Sequence, residues 1–349
     1  MIASLRQSFG TAWQLQKAGR GLLQFLRHGE ADHAAWLAML NLHCRTNGRW
    51  TDMLARIMRR LRPPVEPLRP FDSMLGHFEP NAVEAIAAQI RRDGYYVFDT
   101  AVPAALCDEF AEATKSIEAR TSRDPASRQP SAKFDPANPV GHVYDLPESE
   151  IWKVPSGQKF IADPIFLNVA QAYFGAEPML KDINVWWSAV MGGKPDSNSA
   201  QMFHFDYDAA PVWLKFFIYV TDVTLETGPH VFVRGSHRMQ QPKMREMLSR
   251  GYVRISDDEI AQVFGPDNVI ELTGRKGTVI AVDTLGYHKG KAPQSGCRLV
   301  AQLEFATPLF AKTVSEPMAV PAQLDPGLEK TIQAYPWTFR RYRRNGETN

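Results

Sequence analysis

The sequence predicts a mainly β protein with helical additions: a body of short strands forming a sandwich or barrel, preceded by helices. Three observations carry this. From about residue 179 the apolar residues come in short runs: "MLKDINVWWSAV", "MFHFDYD", "LKFFIYVTDV", "HVFVRGS", "GTVIAVDT" and "CRLVAQLEFAT". Gly, Pro and Asn clusters separate these runs at spacings suited to a sandwich or barrel. Before them the apolar residues recur at helical spacing. With 349 residues, 44% of them hydrophobic, the chain has enough apolar surface for a sizeable core.

In chain order, residues 1–70 read as a basic helical extension and a Pro-rich linker. Residues 1–64 hold ten Lys or Arg against three acids, Glu30, Asp32 and Asp52. Leu5, Phe9, Trp13, Leu22, Phe25 and Leu26 trace one amphipathic helix, and "WTDMLARIMRRLR" a second, closed by "PPVEPLRP". Three readings stay open for this extension: a layer packed on the main domain, an element docking on a membrane surface or a protein partner, and an organellar transit peptide. Residues 71–315 form the main domain. A helix through Ile90 runs into Gly94, then the strand "YYVFD" and a second helix follow. Residues 122–147, rich in Pro, Ser, Asp and Arg, read as a loop or lid. "DPIFLNVAQAYFG" is a helix stopped at Gly175. Residues 316–349 are a C-terminal tail whose "RRYRR" reads as a solvated basic end.

Formal charge is only +2, which points away from nucleic acid. Cys44, Cys107 and Cys297 form neither a CxxC pair nor an even framework, so a reducing compartment is expected. No apolar run approaches the roughly 20 residues of a membrane span, and the N-terminus lacks a signal-peptide block. The expectation is a cytoplasmic protein, membrane-peripheral if residues 1–64 dock there.

The chemistry starts at "FHFDYD". On an extended strand His204, Asp206 and Asp208 share a face, and bare polar groups on an apolar strand are costly unless something binds them. Some eighty residues on, His288 sits in a turn and Arg298 inside the apolar strand "CRLVAQLEF". Two histidines and a carboxylate are the ligand set of non-haem Fe(II) oxygenases. An Arg within an apolar strand needs an anion. A dicarboxylate bound to the metal by one end would offer its other end to that fork, and the alternative is a salt bridge to Glu304 or Asp283.

The segment from about Gly94 to Leu309 resembles the phytanoyl-CoA dioxygenase family of Fe(II)/2-oxoglutarate oxygenases. The likeness lies in "DGYYVFDTAVPAALCDEF", "IADPIFLNVAQAYFG", "HFD", "TDVTLETGPHVFVRGSHR" and "GYHKG…GCR". It implies a double-stranded β-helix, the jelly-roll or cupin-like core, wrapped by N-terminal helices. It implies iron on His204, Asp206 and His288, and the distal carboxylate of 2-oxoglutarate on Arg298. Lys153, with Tyr219 or Thr221, is implied as a further co-substrate contact. O2 is the oxidant and ascorbate a candidate reductant. The implied reaction hydroxylates an unactivated C–H bond of a small molecule, releasing succinate and CO2. Two departures stand out: Arg234 where the family has proline, and His230 in "GPHVF". Asp206 argues against the related halogenases, in which a small residue replaces the carboxylate. Two rival classes remain, a Zn(II) hydrolase or isomerase on the same barrel and a non-catalytic binding protein. The first has no use for Arg298 as an anion clamp, and loss of a metal ligand would have favoured the second, whereas His204, Asp206 and His288 are all present.

Overall fold

Alternating side chains become two antiparallel sheets with a cavity between them. The computed structural model describes residues 2–28, 31–65, 68–123, 129–190, 201–207, 211–307 and 318–344. The chain opens with α1 (Ile2–His28), α2 (His33–Arg45) and α3 (Arg49–Leu61), α2 being capped by Asp32, which accepts from Ala35 N at 2.7 Å. A small hairpin, β1 (Phe71–Ser73) and β2 (Gly76–Phe78), leads to α4 (Pro80–Asp93). That helix ends at Gly94, φ 89°, where a Cβ would meet Phe232 and His237 at 2.6 Å, so both the turn and the close approach require glycine. Next come β3 (Tyr95–Ala101), α5 (Ala104–Lys115), β4 (Val143–Leu146), α6 (Glu148–Ile151), α7 (Pro155–Ala162) and α8 (Pro164–Phe174). As the sequence suggested, α8 stops at a left-handed Gly175.

The β body follows: β5 (Met179–Ala189), β6 (Trp213–Tyr219), β7 (His230–Val233), α9 (Pro242–Ser249), α10 (Asp257–Phe264), β8 (Val269–Leu272), β9 (Thr278–Val282), β10 (His288–Gly290) and β11 (Cys297–Ala306). The larger sheet has the order β3-β9-β6-β11-β5-β4, the smaller β10-β7-β8. Bridges Phe203↔Ile255 and His204↔His288 lay the metal-motif segment along the free edge of β10. From β6 onward the chain passes repeatedly between the sheets, at β6 to β7, β8 to β9, β9 to β10 and β10 to β11, in a jelly-roll arrangement, the double-stranded β-helix.

Period-two alternation sorts the side chains. On β6, Leu214, Phe216 and Ile218 join the outer core with α8, while Lys215, Phe217 and Tyr219 face inward. On β11, Leu299, Ala301, Leu303 and Phe305 face out, and Arg298, Val300 and Gln302 face in. Trp187 is core and its neighbour Trp186 lines the cavity.

Several expectations change. "MFHFDYD" supplies two isolated bridges rather than a full strand, and Asp208 lies outside the described residues. The helices α9 and α10 and the strand β8 were not anticipated. Residues 31–58, by contrast, agree with the first of the readings left open for the extension, a packed layer: Ala35, Ala38, Met39, Leu42, Leu54 and Met58 share a buried cluster with Phe205, Tyr207, Trp213, Val231 and Val233. The C-terminal stretch is no solvated end. After β12 (Met318–Val320) and α11 (Pro326–Ala334), β13 (Tyr342–Arg344) pairs with β12, and Tyr342 and Arg341 lock onto Glu148 at 2.7 and 2.8 Å. Among the described residues no helix is long and apolar enough to cross a membrane.

Candidate metal and co-substrate site

The inward faces of both sheets enclose a cavity of about 640 Å³, lined among others by His204, Asp206, His288, Arg298, His230, Tyr219 and Lys215. Ligand atoms of His204, Asp206 and His288 all lie within 4.8 Å of one another. His204 Nδ1 stands 2.9 Å from Met202 O and His288 Nδ1 2.9 Å from Gly286 O. A carbonyl only accepts, so each neutral ring carries its proton on Nδ1 and leaves Nε2 as a lone pair. Those Nε2 atoms approach Asp206 at 3.7 and 3.5 Å. Burial drives both imidazoles below their ordinary value, His204 to about 3, so they remain neutral as metal ligands must. Burial alone would raise the Asp206 carboxyl. The Lys215 ammonium and the two imidazoles outweigh it and hold Asp206 well below the usual carboxylate range. Two imidazole nitrogens and one ionised carboxylate at one point fit a divalent first-row metal.

Lys215 was not foreseen. Its Nζ donates to Asp206 Oδ2 at 2.8 Å and stands 3.2 Å from Glu304 Oε2, its cross-strand partner on β11. Glu304 also accepts from the buried Lys181 at 2.9 Å. The signal was present in "LKFFIY": a Lys in register with the inward Phe217 and Tyr219.

Arg298 is 7% exposed, and its Nε has no hydrogen-bond partner. The acids that could have neutralised it are engaged elsewhere, Glu304 by two lysines and Asp283 by Tyr173 at 2.5 Å. Among the described residues no carboxylate forms an ion pair with it. Burial lowers its pKa to about 10. A charged fork in an apolar wall facing a cavity has the donors and the charge to pair with a carboxylate.

The structure does not bring Lys153 to this site. It follows α6, its side chain 59% exposed and paired with Glu150 at 2.6 Å, and it does not line the cavity. Tyr219 does line it, but its hydroxyl donates to Leu272 O at 2.6 Å, which leaves no proton for a carboxylate. Thr221 instead accepts from Leu299 N at 2.9 Å. From the expected lid, Arg123 and His142 reach the cavity. Arg123 is held by Asp145 at 2.7 Å and lies over Trp186 at 5.0 Å.

Comparison of the sequence with curated proteins gives no match. Among solved structures, the chain is similar to EctD from S. alaskensis with 2-oxoglutarate and 5-hydroxyectoine, at 21% identity over 70% of this chain and 82% of that one, TM-score 0.44. It is also similar to the non-heme alpha ketoglutarate dependent epimerase SnoN from nogalamycin biosynthesis (18%, 65% and 83%, TM-score 0.43). HygX from Streptomyces hygroscopicus with nickel and 2-oxoglutarate is a third (13%, 67% and 89%, TM-score 0.45). A family model described as phytanoyl-CoA dioxygenase (PhyH) matches residues 90–299. That span is more than half of the chain and holds every residue of the metal cluster, so the chain belongs to the phytanoyl-CoA dioxygenase family.

Proposed function

We propose that this protein is an Fe(II)- and 2-oxoglutarate-dependent oxygenase that hydroxylates an unactivated C–H bond of a small molecule held in the cavity. The observation that carries the reading is the pairing, in one cavity, of a two-imidazole, one-carboxylate cluster with a buried arginine that has no acid. His204, Asp206 and His288 would hold the iron, which when bound supplies activation of O2 driven by oxidative decarboxylation of 2-oxoglutarate to succinate and CO2.

The chain's own residues do the rest. Carbonyls of Met202 and Gly286 fix the tautomer and angle of both imidazoles. Lys215 pins Asp206 and keeps it ionised. Arg298 takes the far carboxylate of the co-substrate as a bidentate pair, which orients the molecule along the axis from β11 toward the cluster. Trp186, Phe217 and Val300 wall the cavity with apolar surface and exclude water from the reacting end.

Anaerobic addition of Fe(II) and 2-oxoglutarate to the purified protein should give a visible charge-transfer band, absent in a folded His288→Ala variant. With substrate and labelled O2, the product should gain one labelled oxygen atom in step with succinate. No band from the wild-type protein, or a band retained in His288→Ala, overturns the reading.

A further inference from the structure

Two buried polar groups lining the cavity, one from each sheet, have no hydrogen-bond partner, and they come close to each other. Arg298 Nε is one and His230 Nε2 the other. His230 is 8% exposed, its ring 4.7 Å from that of Phe217 and stacked at 5.4 Å and 21° on that of His288. The β7–β10 register sets His230 directly opposite Gly290, on the same face as His288. A Cβ at Gly290 would stand 3.6 Å from Arg298 Nη2. The guanidinium therefore ends over Gly290 beside the imidazole, and the missing side chain leaves one space onto which both open. An apolar residue at 230 would pack against Phe217 and His288 without burying an unpaired nitrogen, and burying one is costly.

We infer that His230 is a second anion-holding residue of the site, its ring N–H donating to the carboxylate that Arg298 grips. The inference rests on the co-substrate reading above. A neutral imidazole has one donor, and either tautomer can present it. The Arg298 fork addresses both carboxylate oxygens in one plane. A third donor from β7, on the other sheet, fixes rotation about that plane, so the keto-acid end of a dicarboxylate is aimed as well as anchored. Position 230 thereby becomes a determinant of co-substrate affinity and choice.

The test uses the full chain loaded with Mn(II), titrated with 2-oxoglutarate under nitrogen, alongside melting of the ligand-free protein. His230→Phe keeps the stack and removes the donor. It should bind 2-oxoglutarate at least about tenfold more weakly, or ~1.4 kcal/mol. It should hold Mn(II) normally and melt no lower than wild type. His230→Gln, which restores a donor, should recover part of the affinity. Unchanged 2-oxoglutarate affinity in a folded His230→Phe overturns the inference and leaves the co-substrate reading standing. So does a loss of affinity that only follows a lowered melting temperature and is not rescued by His230→Gln. A wild-type protein that binds Mn(II) but not 2-oxoglutarate overturns both.

Discussion

Replacing Arg298 by methionine should stabilise the ligand-free protein and weaken 2-oxoglutarate binding, two effects of opposite sign from one side chain. Arg298 is buried, without a carboxylate partner among the described residues, and burial lowers its pKa from the ordinary arginine range to about 10. At 1.36 kcal/mol per pKa unit, holding that charge among its buried neighbours costs about 3 kcal/mol. Methionine fills much of the same volume without the charge, so the ligand-free melting temperature should rise by several degrees. A bound carboxylate offsets the desolvation through a charge-assisted bidentate pair. Losing one partner of such a pair costs about 2–5 kcal/mol, a ~30-fold or larger rise in the dissociation constant. Calorimetry of the ligand-free protein reads the first effect, and anaerobic titration of 2-oxoglutarate into the Mn(II)-loaded protein the second. Arg298→Lys should recover only part of the affinity, because ammonium keeps the charge but loses the fork. Unchanged affinity in Arg298→Met refutes the clamp. A lower melting temperature, with affinity lost only in proportion to unfolded protein, would instead make Arg298 a structural residue.

Lys215→Met leaves Asp206 without its ammonium and Glu304 with Lys181 alone, so the metal-free protein should lose about 3–5 kcal/mol. Added Mn(II) should restore more of its stability than it adds to wild type, read as a larger metal-dependent thermal shift. Deleting residues 1–64 should abolish folding in isolation: Met39, Leu42, Leu54 and Met58 alone bury roughly 6–12 kcal/mol of apolar contact, comparable to the whole stability of a domain. Soluble expression and circular dichroism check this, and a folded, metal-binding truncation would refute it. His43, on α2, is pushed to about 3 by burial. The unfolded chain therefore takes up the proton first, and stability present above pH 6.5 is lost as pH falls toward 3. His43 alone removes about 2 kcal/mol by pH 5. Urea unfolding at pH 7 and 5 should show a smaller pH difference in His43→Gln.

Much of the site was legible because His204, Asp206 and Arg298 interrupt apolar runs on the inward register, with His288 in a turn ten residues before Arg298. His204 and Asp206 are two apart, and Arg298 interrupts "CRLVAQLEF" at the position from which Val300 and Gln302 also face the cavity. Lys215 follows the same rule, in register with Phe217 and Tyr219 on the inward face of β6. Lys153 failed for the opposite reason. Its assignment rested on loose likeness, and the position itself follows a short helix with Glu150 one turn before it, an ordinary exposed pair. His142 carried no pattern at all. It reaches the cavity because the loop before β4 folds along the sheet edge, a long-range placement that spacing along the chain does not encode.

The role of the N-terminal helices was not legible for a related reason: an amphipathic stripe says that something covers it, but not what. The alternation that turns His204 and Asp206 toward the metal position turns Phe203, Phe205 and Tyr207 the other way. Those three aromatic rings need a cover as much as the helices do. The layer of α2 and α3 supplies it, with Trp36 Nε1 donating to Tyr207 O at 3.2 Å, Tyr207 Oη donating to Met39 O at 3.2 Å, and His43 packed on Phe205 and Tyr207. Among the described residues the metal-motif segment makes two ladder bridges and a backbone bond from Asp206 N to Thr284 O at 2.8 Å, and this outer face adds to its rigidity. Residues at the back of the strand thus set how firmly the ligands at its front are held. A basic extension for which composition left three readings open is, by packing, part of the support behind the metal-motif segment.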